Sequence, residues 1–422
     1  MSDDSQESVE EFRQRARSFL KENMPRASGG AGGFTRGILS DEEELADVQR
    51  NRDLQRLLFD GGLAGICFPR EYGGQGLTPA HADAFNEEIV GYQFPDRIQV
   101  PTFAPCAAVL LEFGTEEQKR NHIPAILKGE EIWMQFLSEP SGGSDVAGAQ
   151  TTAVRDGDEW VLNGSKIWTT GAWWSDWGLC LARTNWDVPK HRGLSVFMLR
   201  IHQTGIEVHR IEMLNGSKEF CQEFISDVRI PDSDRIGQVD DGWTVGIRWM
   251  FYEKSFALSP LTIRPAGEAF GRADGGPGAL VKLARAGGRL DDPLARDQIG
   301  EAHALTLATR ALSDRISRAI TTGKISDQAA GLTRVMSGMR QTRLATIEFE
   351  LAGSAGVAWE PEDGQSAGYG MGYLVRQASC IGGGTTEMSR NVVSERVLGM
   401  PRERTLDRDV PFRDVPKGPP SK

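Results

Sequence analysis

The sequence predicts an α+β protein in three blocks, and three observations carry that prediction. Residues 1–128 place apolar side chains at helical spacing between charges. From 129 to 240 the pattern switches to short alternating runs broken by turn residues. Helical spacing returns at 241 and continues to about residue 400.

In the first block, Glu7 to Glu22 and Glu42 to Leu58 read as amphipathic helices. Arg26 to Gly37 reads as a mobile Gly-rich loop. Asp60-Gly61-Gly62-Leu63 stops a helix, REYGGQGLT at 70–78 is a turn-rich connector, and Thr115 to Lys128 is a further helix between Gly114 and Gly129. The second block supplies EWVLNGSKIW, WGLCLARTN, LSVFMLRI, GIEVHRI and FCQEFISDVRIP, with hairpin turns expected at Asp156-Gly157-Asp158 and Asn163-Gly164. Short strands so closely spaced imply a barrel-like or two-layer antiparallel unit, which Asp240-Asp241-Gly242 ends. The third block is interrupted by a loop from Gly267 to Gly278. The tail from Pro401 to Lys422, rich in proline and charge, is expected to be mobile.

Bulk properties narrow the function classes. A formal net charge of −11 argues against a nucleic-acid surface, which needs clustered Lys and Arg. No apolar run reaches the roughly 18 residues of a membrane span. The N-terminus MSDDSQESVEEF is too acidic for a signal or transit peptide. Cys67, Cys106, Cys180, Cys221 and Cys380 are scattered without a CxxC, which fits free thiols in a reducing cytoplasm. The histidines are dispersed and no metal site is expected. A hydrolase reading fails because GxSxG is missing.

The densest chemistry lies between Trp133 and Thr170. Gly142 and Gly143 carry no Cβ and let backbone N–H groups approach an anion. Ser138, Ser144 and Thr170 supply hydroxyls, and Trp168 supplies a flat wall for a planar cofactor. The alternative is an ordinary Ser/Gly turn with one core Trp.

The order FLSEPSGGSDVAG, then NGSKIWTTGAWWSDW, resembles the flavin-binding middle region of the acyl-CoA dehydrogenase family. REYGGQGLT, FGTEEQKRNHIPAILKGEE at 113–131, FISDVRIP at 224–231 and IGGGTTEMSRNVVSERVLG at 381–399 extend the likeness over most of the chain. The resemblance implies an N-terminal helical domain, a middle β domain and a C-terminal helical bundle. It also implies FAD, an acyl-CoA substrate oxidised to the trans-2-enoyl-CoA, and an electron-transfer flavoprotein as acceptor. A homo-oligomer, dimer or tetramer, comes with it. By the same resemblance Gln135, Leu137, Ser138, Gly143, Ser144, Trp168 and Thr170 contact FAD. Arg285 and Gln298 would reach a neighbouring subunit's FAD, and Glu350 and Gly353 match the adenine-side segment, with Glu350 in place of a common Gln. Ser144, Lys254, Gly383 and Gly384 are implied substrate contacts, Lys254 standing where a close relative has Arg.

Gly382-Gly383-Gly384 feeds a helix starting near Thr385 or Thr386, an arrangement suited to anions. It is neither a P-loop nor a dinucleotide fingerprint; the alternative is a flexible turn with a Thr cap. By the resemblance, Thr385 and Glu387 contact FAD, and the Gly383 N–H donates to the thioester carbonyl. Many family members carry the catalytic glutamate at the position of Gly383, which cannot act as a base. In the isovaleryl-CoA and long-chain branches the glutamate comes instead from the first helix after the β domain. That helix, GWTVGIRWMFYEKSFALSP, has Asp241 as its N-cap and an apolar stripe of Val245, Trp249, Tyr252, Phe256 and Pro260, with Glu253 on the same face. A carboxylate among aromatics is desolvated, and its pKa rises toward that of a useful base. The alternative is a stripe-edge Glu that reaches solvent. The expected mechanism has Glu253 removing the α-proton while flavin N5 accepts a hydride. Two rivals stand beside it: a catalytically silent or co-dependent subunit of a hetero-oligomer, and an acyl-CoA oxidase.

Overall fold

The computed structural model describes residues 7–27, 39–254, 259–265, 277–358, 365–405 and 407–416. Most of the two loops expected at Arg26 to Gly37 and Gly267 to Gly278 lies outside the described residues, as does Phe256.

Reciprocal capping boxes open three of the N-terminal helices. Ser8 pairs with Glu11 at α1 (Val9–Asn23), Ser40 with Glu43 at α2 (Asp41–Asp60), and Thr115 with Gln118 at α5 (Glu116–Leu127). Between them lie α3 (Pro79–Glu88) and a wide-turned π-helix, Gln99–Ala107, which runs into α4 (Ala108–Phe113). The stripes of α1, α2 and α3 meet in one core of Phe12, Leu20, Leu54, Leu58 and Phe85.

The middle block is one eight-stranded sheet in the order β6-β7-β3-β2-β4-β5-β8, with β1 joined to β4. The strands are β1 (Trp133–Phe136), β2 (Thr152–Asp156), β3 (Glu159–Thr170), β4 (Trp177–Arg183), β5 (Leu194–Arg200), β6 (Ile206–Ile211), β7 (Phe220–Pro231) and β8 (Arg235–Ile236). Pairing is mainly antiparallel, but β1 lies parallel to β4, and β2 meets β4 in parallel at Thr152 and Arg183. The turn at Gly157 joins β2 and β3 as expected. The hairpin expected at Asn163-Gly164 does not form: β3 runs through it, shifting its register against β7 between Leu162 and Gly164. Gly164 sits at that irregularity against β7, and a Cβ there would lie 2.5 Å from the Thr151 hydroxyl oxygen.

The third block contains α6 (Gly242–Lys254), α7 (Pro277–Ala286), α8 (Pro293–Thr321), α9 (Ala330–Ala352), α10 (Gln365–Val375) and α11 (Thr386–Val392), the last continuing into a π-turn at Val393–Val397. A second core crosses all the way from the π-helix (Phe103, Cys106) through β1 and β4 (Trp133, Leu179) to α6 (Val245, Trp249), locking α6 onto the sheet.

The free tail expected from Pro401 onward is corrected for residues 407–416. The Phe412 ring is 3% exposed, stacks on Trp186 at 5.3 Å and lies 3.8 Å from the Arg183 guanidinium carbon. Backbone bonds from Phe412 to Val188 and from Arg413 to Trp186 complete the attachment. Composition reports only the polar majority of this segment; one ring and an edge of unpaired backbone decide its placement.

Candidate active site

Asp241 precedes α6; its carboxylate accepts the Thr244 hydroxyl at 2.6 Å and its carbonyl accepts the Thr244 N–H at 3.1 Å. Val245 and Trp249 are buried on the inward face of α6. Glu253 follows Trp249 by one turn and shares that face. It keeps some accessible surface, yet burial holds its pKa above the usual carboxylate range, opposed by the positive charges of Lys254 and Arg334. Buried Cys106, on the π-helix, feels the Glu253 charge in turn. Groups on the π-helix (Cys106), on its own helix (Lys254) and on α9 (Arg334) are thus coupled electrostatically to this carboxyl.

Contacts lead from this helix to the sheet. The Trp249 indole N–H donates to Gln135 Oε1 at 2.5 Å, and the Thr169 hydroxyl donates to the Gln135 carbonyl at 3.4 Å. Trp168 and Thr170 flank Thr169. The Ile167 N–H donates to the Ser138 carbonyl at 3.0 Å, which fastens the 138–148 loop to the same strand. Trp168 sits on a β-bulge with φ +66° and is 52% exposed, resting edge-on against Phe220 at 5.9 Å. A bulky residue in the left-handed region is a strained exception, and the bulge turns its ring out of the ladder. Gly143 packs against Ser138, where a Cβ would approach the hydroxyl oxygen to 3.3 Å, and Ser144 is exposed beside it. The Leu137 carbonyl accepts from Lys166 at 3.3 Å.

The glycine loop closes the site from the third block. Gly383 and Gly384 have φ of +70° and +91°, which only glycine adopts without strain. A Cβ on Gly384 would come within 3.2 Å of Lys254 Cε, so the end of α6 rests on this loop, while a Cβ on Gly383 would meet open space. The Thr385 hydroxyl accepts the Met388 N–H at 3.0 Å and caps α11; Glu387 is exposed.

Contacts thus connect Gln135 to α6 and to Thr169 between Trp168 and Thr170, Leu137 and Ser138 to the same strand, and Lys254, next to Glu253, to Gly384. Thr385 and Glu387 lie at the start of α11, just after the glycine loop, and the other four candidates lie apart on α7, α8 and the end of α9. Gln298 donates to Glu350 Oε2 at 2.5 Å, Arg285 is exposed in the last turn of α7, and Gly353 ends α9 with φ +59°. Arg334 and Glu350 lie 16 residues apart on α9, about 24 Å at the rise of an α-helix.

Three features escaped the sequence reading: a buried ion pair, a buried acid and a half-buried arginine. Lys166, fully buried, donates to Glu139 at 2.8 Å, and Glu139 accepts the N–H groups of Gln150 and Thr151 at 2.6 and 2.9 Å. Glu223 on β7 is equally buried, accepts the Thr169 hydroxyl at 3.0 Å, and has its pKa pushed up to about 8 by burial. Arg334 on α9 bonds the glycine loop. The available signal was charge at an inward position: Lys166 shares the buried face of β3 with Trp160 and Leu162. Among the described residues no group of His, Cys, Asp and Glu is arranged to hold a metal, and no helix is long and apolar enough to cross a membrane.

Comparison with known proteins gives this arrangement a class. Family profiles described as acyl-CoA dehydrogenase N-terminal, middle and C-terminal domains match residues 6–130, 135–228 and 266–398. Acyl-CoA dehydrogenase IpdE1 of Mycobacterium tuberculosis is 34% identical over 401 residues, covering 94% of this chain and 98% of that protein. Cyclohexane-1-carbonyl-CoA dehydrogenase of Syntrophus aciditrophicus is 27% identical, covering 72% of this chain and 79% of its own. A solved structure titled Tcur3481-Tcur3483 steroid ACAD superposes with a TM-score of 0.72 at 26% identity, over 94% of this chain and 98% of that one. Fold and site together define an oxidoreductase that acts on acyl-CoA thioesters. The chain belongs to the acyl-CoA dehydrogenase family.

Proposed function

We propose that the protein is an FAD-dependent dehydrogenase converting an acyl-CoA thioester to its trans-2-enoyl-CoA, with Glu253 as the base. The observation that carries this reading is the placement of Glu253: desolvated, one turn beyond Trp249, with Lys254 resting on the Gly383–Gly384 loop.

The residues fit a flavin. Trp168, held outward by a strained bulge beside the Ser138 and Thr170 hydroxyls, offers a flat ring and polar edge contacts. Ser144 and Gly143 would hold the pyrophosphate side, with Gln135, Leu137, Thr385 and Glu387 as further contacts. The group formed by Arg285, Gln298, Glu350 and Gly353 would serve the cofactor of a neighbouring copy. When bound, FAD supplies the acceptor for the hydride of the β-carbon.

The chain's own residues do the rest. Glu253 takes the α-proton onto its carboxylate. Burial raises its pKa and makes it a stronger base than a free Glu, while the charges of Lys254 and Arg334 oppose that rise. The Gly383 N–H donates to the thioester carbonyl and stabilises charge developing there as the proton leaves. Packing of the π-helix against α6 holds the base on a rigid support, so that a bound α-carbon can be kept within its reach.

The names of the relatives, steroid ACAD and cyclohexane-1-carbonyl-CoA dehydrogenase, support a ring-bearing acyl group as substrate. An external electron-transfer flavoprotein is the acceptor and the cytoplasm the site of action in this reading. Anaerobic mixing with CoA thioesters graded in length and ring content tests it: the flavin bleaches with at least one ring-bearing thioester, and bleaching with none overturns the reading. A second reading, a co-dependent subunit of a hetero-oligomer, draws on Gly383 at the alternative base position and on that structure's two-component title. Its mark would be bleaching only after a second, different chain is added; bleaching by the chain alone excludes it.

A further inference from the structure

Arg334 projects from α9 into the gap between the base and the glycine loop. Its guanidinium donates to the Ser379 carbonyl at 2.7 Å and to the Gly382 carbonyl at 2.6 Å. The neighbouring turn of α9 is equally close: a Cβ on Gly338 would stand 3.0 Å from both the Ser379 carbonyl oxygen and Thr386 Cγ2. Only a helix face with a glycine at this point lets Arg334 straddle the two carbonyls.

The second of these bonds has a directional effect. In a trans peptide the C=O and the N–H point to opposite sides, and the described residues contain no cis peptide. Pinning the Gly382 carbonyl toward Arg334 therefore aims the Gly383 N–H away from α9. That N–H has no acceptor among the described residues. Both glycines in the loop have positive φ, where several backbone conformations compete. Without an external clamp such a turn would rotate its peptide planes freely.

We propose that Arg334 is a positioning residue: it fixes the Gly382–Gly383 peptide so that its N–H faces the thioester carbonyl, and it sets a fixed positive charge beside the Glu253 carboxyl. The proposal rests on the reading of Glu253 as base and Gly383 as donor. The charged and titratable groups around the base are few. Lys254 comes from its own helix, Arg334 from α9 and Cys106 from the π-helix, while Arg334 also faces Cys380. Burial lowers the Arg334 pKa, and the Cys380 and Glu253 charges oppose that. Both cations act on the Glu253 charge and lie against the loop, but of the two it is Arg334 that hydrogen-bonds the loop carbonyls.

The two functions separate by substitution. Arg334→Met removes charge and fork; Arg334→Lys keeps the charge but cannot grip two carbonyls in the same way. Amide hydrogen exchange across 379–386 in the FAD-loaded protein, without substrate, reads the clamp. The pH dependence of anaerobic flavin reduction, using the thioester that reduces the wild-type protein fastest, reads the charge. In Arg334→Met, exchange at Ile381 and Gly382, whose N–H groups both donate to the Ala378 carbonyl at 3.0 Å, accelerates roughly tenfold, the loss expected for one charge-assisted hydrogen bond holding the turn. The acid limb of the reduction profile moves to higher pH, since removing a cation favours the protonated base. In Arg334→Lys the limb returns toward its wild-type position while exchange stays fast. Unchanged exchange and an unmoved limb in a fully flavinylated Arg334→Met protein overturn the proposal. Should no thioester reduce the wild-type protein, the catalytic reading fails by itself. Exchange then still decides the clamp, and infrared titration of Glu253, with Glu253→Gln as reference, decides the charge.

Discussion

Lys166 and Glu139 form an ion pair of 2.8 Å in which neither side chain is more than 4% exposed. The lysine also donates to the Leu137 and Leu181 carbonyls, and the glutamate receives two backbone N–H groups, so almost every polar valence is met inside the sheet. Burial alone would raise the Glu139 pKa; Lys166 and these bonds reverse that and hold it below the ordinary value. The pair joins β3 to the start of the Ser138–Gly148 loop, so a structural salt bridge determines where the loop begins.

Breaking one half of that pair is expected to be costly. Lys166→Met leaves a buried carboxylate without its cation, a loss of about 3–5 kcal/mol. Lys166→Met with Glu139→Gln is expected to recover most of it. Urea unfolding of the two variants checks this; equal stability of single and double variants would count against it.

Glu253→Gln removes the base while keeping the side chain's volume. Flavin reduction by substrate should slow by roughly 10²–10⁴-fold with normal FAD content. Stopped-flow bleaching is the measurement, and near-normal reduction would show that the proton leaves by another route.

Glu223 makes stability depend on pH. Its folded pKa of about 8, raised by burial, lies above the ordinary 4.5, so between these values the folded state holds a proton that the unfolded chain has lost. Stability contributed by the neutral acid is present below pH 4.5 and falls as pH rises toward 8, by up to about 1.4 kcal/mol per pH unit. Glu223→Gln should flatten that decline. Chemical denaturation at pH 5.5 and pH 8 distinguishes the two proteins.

Gly164→Ala is expected to destabilise by about 1–3 kcal/mol. The added methyl would meet the Thr151 hydroxyl oxygen at 2.5 Å and its Cα at 2.7 Å, and backbone cannot yield cheaply. Thermal melts of Gly164→Ala alone and with Thr151→Gly test whether that clash is the cause.

The three-block order was legible because period, not composition, distinguishes helices from strands. Glu253 was legible for the same reason: it follows Trp249 by one turn. Asn163-Gly164 misled because its dipeptide matches a tight turn, while pairing to β7 on one side and β2 on the other kept the strand running through it. Arg334 could not be found from sequence, since its meaning depends on two carbonyls 45 and 48 residues away. Phe412 was hidden among prolines and charges, and its partners Arg183 and Trp186 lie more than 200 residues earlier.

The docked end of the chain has a practical consequence. Lys190 bridges Asp145, next to Ser144, and Asp407, at 3.0 and 3.2 Å. A bulky group attached within residues 407–416 would therefore compete for space with the 138–148 loop. Labels intended to leave that loop undisturbed belong elsewhere in the chain, whereas a small dye at residue 416 would serve as a built-in reporter of it.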